Sequence, residues 1–289
     1  MRALLDVLSP LAVRGLGALA GAFGGLVAIK LADVLPARYD ITLLATGRAR
    51  AKRNTLCVIA CVVVGAGLAH LVTQVPGAPL DGALLSFAVD LALVIALVAS
   101  TAMDLEHMTL PNELTLGGAA LALGTAHWRG LGIVSSLLGV AVGVALTYLP
   151  ALLYRMLRGR SGQGMGDVKL AMLAGAWLGP SAAIFVVFAG TLQAAVCGIA
   201  MRALGVTFAV PPSVQAEIDG LRAKAAAGDA EARAVLADDP MAANVGASAA
   251  EALTTMRLPM GPFLVLACLE LVFARAQIME LFDRFIAPP

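Results

Sequence analysis

"SGQGMGDVKLAM" (Ser161–Met172) sets an aspartate, Asp167, between a glycine pair and a run of apolar helix formers, in a chain with little charge to spare. A second stretch, "STAMDLEHMTLPNELTL" (Ser100–Leu116), does much the same with Asp104. Both acids stand at the edge of long apolar runs. How those runs divide into elements decides where the two acids lie, and so what they do.

The 289 residues are 60% hydrophobic and 13% charged, with a mean hydropathy of +0.89. Soluble domains carry roughly 45–50% apolar and about 25% charged residues, so this is the composition of a membrane protein. A formal net charge of +1 leaves no basic face to neutralise phosphates, which argues against a nucleic-acid partner. The opening "MRALLDVLSPLAVRGLG" runs straight into a full-length apolar span rather than a short core with a cleavage site, so no cleaved leader is expected. Cys57, Cys61, Cys197 and Cys268 all lie in apolar runs and read as small buried hydrophobes. No His or carboxylate stands near Cys57 and Cys61 in sequence to complete a metal site.

A bilayer core takes about 20 apolar residues per helix. Such runs occupy 11–33, 55–75, 83–103, 112–127, 131–154, 167–178, 180–202 and 258–276. The expected fold is all-α, a polytopic transmembrane bundle of about eight spans. The fourth and sixth are short enough to require packing inside the bundle. Basic residues follow the first span (Arg38, Arg48, Arg50, Lys52, Arg53), the fifth (Arg155, Arg158, Arg160) and the seventh (Arg202, Arg222, Lys224, Arg233, Arg257). The alternate loops are nearly bare: "PGAPLDG" has no base and "HWRG" has only Arg129. With eight spans all three basic segments fall on one side, the cytoplasmic side by the positive-inside rule. Asp104 ends the third span and Asp167 opens the sixth, so both acids reach the same depth on that face. The segment 211–257 is charged and Ala-rich between the breakers Pro211–Pro212 and Pro240. It reads as a small cytoplasmic helical insert between a transmembrane unit of 1–210 and its completion at 258–289. No internal repeat is visible.

An ionisable residue at membrane depth is costly and marks a functional site by default. Taken singly, Asp104 is a solvated acid at a helix end and Asp167 is an N-cap. Gly164 and Gly166, on either side of Met165, admit a close backbone approach that a cap does not need. Pro111 breaks the chain after "DLEHMTL" before "NELTLGG" restarts a helix. Irregular backbone at that depth is tolerated only where protein or a water-filled cavity covers it. The expectation is a wet pocket holding two acids.

Two close carboxylates share one proton. The ionised member takes a proton from water and the protonated member donates to a scissile carbonyl oxygen. That chemistry needs no metal and no cofactor. His70, His107 and His127 stand beside no Ser or Cys in a triad-like pattern. Asp90, about four turns before Asp104 on a similar helix face, reads as a hydrogen-bonded structural acid or as the start of a hydrated channel. His70, Glu270 and Glu280 read as interior or interface residues without a role. Met108 and Met165 shape a substrate pocket or simply fill gaps.

"GMGDVKLAMLAGAWLG" (Gly164–Gly179) resembles the GxGD region of the type IV prepilin peptidase family of intramembrane aspartic proteases. "MDLEHMTLPNELTL" (Met103–Leu116) resembles that family's other aspartate motif, and "LPMGPFLVLA" (Leu258–Ala267) its final-helix signature. "GALAGAFGGLVAIKLADVLP" (Gly17–Pro36) faintly resembles its N-terminal span. The resemblance implies Asp104 and Asp167 as the catalytic pair and Gly164 and Gly166 as active-site backbone, with Met165, Pro111 and Asn112 beside them. Lys169 is a motif residue that either pairs with a carboxylate or snorkels to the interface. The implied substrate is the leader of a type IV prepilin or pseudopilin, held in the bilayer and cleaved on the cytoplasmic side of a bacterial inner membrane.

The chain departs from the family twice. Members carry paired CxxC motifs of zinc-ligand spacing after the first span, whereas "ARYDITLLATGRARAKRN" (Ala37–Asn54) has no cysteine. No zinc domain is expected there, and the family's N-methylation with S-adenosylmethionine is not carried over. The insert is longer than the loop expected before the final-helix signature. It reads as a tolerated surface insertion whose deletion leaves hydrolysis intact, or else as a partner-binding or gating element. Two rival functions stand beside the peptidase. One is a proton-coupled transporter with Asp90, Asp104 and Asp167 as an ion path, a class that often shows internal repeats. The other is a non-catalytic assembly factor for a pilus or secretion machine.

Overall fold

The computed structural model describes residues 9–73, 80–159, 164–206, 208, 210–238 and 258–286. Arg160, Pro240, Arg257 and the second half of the expected insert lie outside the described residues. The described chain is all-α. In order come α1 (Pro10–Val34), a 3-10 turn (Leu35–Tyr39), α2 (Gly47–Thr73), α3 (Leu80–His107), α4 (Asn112–Gly124) and α5 (Ile133–Arg158). Then follow α6 (Met165–Leu178), α7 (Pro180–Ala203), α8 (Pro212–Ala226), α9 (Ala230–Asp238) and α10 (Gly261–Ile286).

Local chemistry sets most of these limits. Ser9 caps α1 by accepting the Ala12 N–H at 3.2 Å, with Pro10 at the first helical position. Between α6 and α7, Gly179 at φ 93° makes the break and Pro180 opens the next helix. The α3–α4 break is less usual. Met108 takes φ 51°, and three residues later Pro111 caps α4 in an extended conformation.

Five segments are long and apolar enough to cross a membrane by length and composition: Pro10–Tyr39, Gly47–Val72, Gly82–His107, Ile133–Arg158 and Pro180–Ala203. Their outer faces carry exposed Leu19, Phe23, Leu138, Phe188, Leu192 and Ile199, which a bilayer would cover. The protein is thus a multi-pass membrane protein. Each of the eight expected apolar runs occurs as a helix, but α4 and α6 have only 13 and 14 residues. At 1.5 Å per residue that is roughly 20 Å, short of a hydrocarbon core of about 30 Å.

Burial explains how α6 persists, whereas α4 buries one face only and leaves Leu116 and Leu121 exposed, against the expectation that both short helices pack inside the bundle. α6 packs against α4, α5, α7 and α10. From Val168 to Trp177 nearly every α6 residue is buried. A helix apolar all round belongs inside a bundle. Leu93, Leu97 and Met103 of α3, Leu170 and Leu173 of α6 and Leu264 of α10 form the heart of the core. α5 reaches α6 through glycine. A Cβ on Gly139 would run into the Gly175 carbonyl, and one on Gly175 into the Gly139 carbonyl. Replacing Gly175 by Val should therefore cost about 3 kcal/mol through overpacking. Gly117→Ala, where no atom lies within 4 Å of the added Cβ, should stay within about 1 kcal/mol of wild type. Thermal unfolding in detergent distinguishes the two, and equal melting temperatures would contradict the α5–α6 contact.

Candidate active site

Asp104 lies in the last turn of α3 and is 6% exposed. Its Oδ2 accepts the Gly261 N–H at 2.9 Å. Gly261 opens α10, where the first amides have no partner within the helix and the helix dipole is positive. An acid is the natural acceptor there. Glycine is required by the approach itself, because a Cβ at residue 261 would stand 2.5 Å from Oδ2. Asp167 is the third residue of α6, half-buried, in a first turn whose N-cap is Gly164. It is therefore not the cap that its sequence position suggested. The charges of Asp104 and Asp167 lie close enough to interact. The ends of α3, α6 and α10 meet at these two acids.

The 108–111 turn carries one wall of this meeting point. Leu110 packs on Gly166, where a Cβ would fall 2.9 Å from Leu110 Cδ1. Close approach thus demands glycine at 166; Gly164 is exposed, and among the described residues only the Gly166 amide comes near its Cβ position. Met165 is exposed and Pro111 is buried. Beyond Pro111, the Asn112 N–H donates to Tyr39 Oη at 2.8 Å, and that hydroxyl donates to Glu113 Oε2 at 2.8 Å. Arg38 adds a bond to Glu113 Oε1 at 3.1 Å. Among the described residues Lys169 pairs with no carboxylate: its Nζ donates to the side-chain oxygen of Asn112 at 2.6 Å. A chain of bonds thus runs from Tyr39 through Asn112 to Lys169, joining the turn after α1 to both aspartate motifs.

An ion network holds α3 from the other side. Arg53, 6% exposed, donates to Asp33 Oδ1 at 2.5 Å and to Glu106 Oε2 at 3.0 Å. Arg50 bonds the other Asp33 oxygen at 2.7 Å. Asp33, Arg53 and Glu106 come from three helices, and Glu106 is two residues from Asp104.

Other expected polar residues lie elsewhere. Asp90 accepts the Trp177 Nε1–H at 2.7 Å, near the end of α6 remote from Asp167. There it lines a cavity of about 610 Å³ with Arg129, which donates to the Ala122 and Trp177 carbonyls. It is a hydrogen-bonded acid set well apart from the Asp104–Asp167 pair. Glu270 accepts from Gln193 at 2.7 Å between α10 and α7. Cys57, Cys61 and Cys268 are buried free thiols. Among the described residues no three His, Cys, Asp or Glu side chains are grouped as metal ligands.

Residues 91–199, which hold both acids, the turn between α3 and α4, and Lys169, match the type IV leader peptidase family. That stretch, 109 of the 289 residues, is similar to the type IV leader peptidase family. It is 35% identical over 128 residues to a prepilin leader peptidase/N-methyltransferase of Neisseria gonorrhoeae, covering 43% of this chain and 44% of the relative. One from Xanthomonas campestris is 36% identical over 103 residues, 35% of this chain and 36% of the relative. One from Burkholderia pseudomallei is 30% identical over 192 residues, 58% and 61% of the two chains. The chain thus spans less than half the length of the first two relatives. No solved structure matches it.

Several supports of the matched stretch carry no local mark in the sequence. Gly261 lies in the quoted final-helix signature, and the Gly-Pro start of a helix is a signal for an exposed amide, but its acceptor is 157 positions away. Tyr39 and Arg53 lie in a loop noticed only for its charge and its missing cysteines. Nothing local marks them as partners of residues 112 and 106. Arg53→Met should destabilise the fold by about 3 kcal/mol, because it strands two carboxylates at once. Arg53→Lys should recover only part of that, since an ammonium lacks the planar fork that spans both acids. Unfolding in detergent that leaves both variants level with wild type would contradict the network.

Proposed function

We propose that the protein is a membrane aspartic endopeptidase that removes the leader of a type IV prepilin or pseudopilin substrate in the inner membrane of a bacterium. The observation that carries this reading is the meeting of Asp104 and Asp167 at three helix ends, with Gly261 N–H holding one carboxylate, in a chain whose residues 91–199 are similar to the type IV leader peptidase family. The printed names of the relatives support the choice of substrate.

In this reaction one aspartate, ionised, takes a proton from a water placed between the pair. The other, protonated, donates to the oxygen of the scissile carbonyl as the hydroxide adds to its carbon. The roles then reverse to protonate the leaving amine. Gly261 restricts Asp104 to one orientation, which favours productive geometry. The Tyr39–Asn112–Lys169 chain and the Arg53 network hold the two aspartate-bearing helices in register. Arg38, Arg48, Arg50, Lys52 and Arg53 belong to the end of the bundle that bears the acids, which supports a cytoplasmic site by the positive-inside rule. Residues 1–210 with 258–289 form the peptidase unit, and 211–257 is an insert in it. The second half of the relatives' printed name, the methyltransferase, is not extended to this chain, whose Ala37–Asn54 loop has no cysteine.

The test is cleavage of a co-reconstituted prepilin by wild type, Asp104→Asn and Asp167→Asn. Each variant should keep its fold and lose rate on the order of 10³-fold, the scale of acid–base catalysis. Full activity in either variant would remove that aspartate from the mechanism. No cleavage by wild type would favour a non-catalytic assembly factor. Chelators should leave the wild-type rate unchanged, since the two acids activate the water themselves; inhibition reversed by added zinc would refute a metal-free mechanism.

A further inference from the structure

The helices after α7 are anchored on the candidate site. The last carbonyls of a helix have no donor within the helix. At the end of α3 the carbonyls of Asp104, Glu106 and His107 each find one nearby. Met108 N–H bonds Asp104 O at 2.9 Å, and the Thr109 hydroxyl bonds His107 O at 3.1 Å. Glu106 O is taken by Ser213, the second residue of α8, whose hydroxyl donates at 3.2 Å. With its proton directed there, Ser213 Oγ accepts from His107 Nδ1 at 3.0 Å, which sets the tautomer of a buried imidazole.

A second contact lies further along α8. Ile218 is 3% exposed in a helix that is otherwise largely exposed. It packs against Met108, with Val214 one turn earlier and Leu236 of α9 completing the cluster. Met108 is the residue at φ 51° that turns the chain from Asp104 toward Pro111. A non-glycine residue keeps that conformation only where its surroundings enforce it. α8 and α9 supply those surroundings, from a segment outside the 91–199 family match. A tolerated surface insertion would not account for either contact.

We propose that Ser213 and Ile218 are positioning residues of the peptidase site. Through the Glu106 carbonyl, His107 and Met108, α8 clamps the end of α3 and holds Asp104 toward Asp167. This rests on the two aspartates being the catalytic pair.

The experiment compares wild type, Ser213→Ala, Ser213→Thr, Ile218→Ser and Asp104→Asn in proteoliposomes with a prepilin-type substrate, with Lys224→Ala at an exposed α8 position as control. Ser213→Ala and Ile218→Ser should each lower kcat on the order of tenfold to a hundredfold, the effect of a small misplacement of reacting groups, with KM within about twofold. Ser213→Thr, which keeps the hydroxyl, and Lys224→Ala should match wild type. Amide hydrogen exchange over residues 106–110 should quicken in Ser213→Ala and Ile218→Ser while that of α1 and α7 stays unchanged. Wild-type kcat with unchanged exchange in both variants would overturn the clamp. So would a loss shared by Ser213→Thr and accompanied by faster exchange throughout the bundle, because that is general destabilisation. If wild type fails to cleave, or Asp104→Asn cleaves fully, the catalytic-pair reading falls instead, and unchanged exchange at 106–110 would still refute the clamp.

Discussion

The bond from the Gly261 amide to the Asp104 carboxylate ties together residues 157 apart in the chain, and much of the bundle is arranged so that it can form. It brings the beginning of α10 to the end of α3, beside the start of α6. A helix start inside a membrane protein presents amides that lipid cannot satisfy. A carboxylate there meets that need and is itself relieved of part of its desolvation. The same contact that completes the helix end therefore holds an acid in place, with Asp167 at the start of the neighbouring helix.

The supports around this contact come from parts of the chain outside the family match. Asp33 and Arg53 belong to α1 and α2, and Tyr39 to the turn between them, yet they hold Glu106 and Asn112, on either side of the turn that follows Asp104. Ser213 and Ile218 reach the same turn from beyond α7. The domain common to the relatives thus sits within a frame made by the flanking helices. The struts are polar or apolar contacts onto residues 106–113, so that short stretch is where the separate parts of the fold are joined.

The far end of the bundle is built on a similar rule with different partners. Arg129 closes the final carbonyls of α4 and α6, and Trp177 donates to Asp90. Backbone at the far ends of the two short helices, and at the start of α4, is thus met by side chains from neighbouring elements. That is how helices of 13 and 14 residues remain in a bundle whose outer helices are nearly twice as long.

Apolar run length, glycine and proline punctuation and the distribution of basic residues were enough to foresee an all-helical membrane bundle, two short helices and two acids at the ends of α3 and α6; that α4, unlike α6, leaves one face exposed was not foreseen. Those features depend on local windows of sequence, and each has a local physical cause: hydrophobic transfer, helix breaking and charge at helix ends. Lys169 and the Gly164–Gly166 pair were legible as special but not in what they touch. The acceptor of Lys169 is an amide 57 positions away, and among the described residues it is Gly166 that faces a neighbour requiring glycine. Gly261, Tyr39, Arg53 and Ser213 were not legible as parts of the site, because each is an ordinary residue until a distant helix is set against it. Sequence alone determined which segments are helices and which of their ends carry acid. Tertiary structure decided which ends meet, because a hydrogen bond or a buried contact exists only when two helix faces share the same few ångströms, and that depends on how the helices pack together.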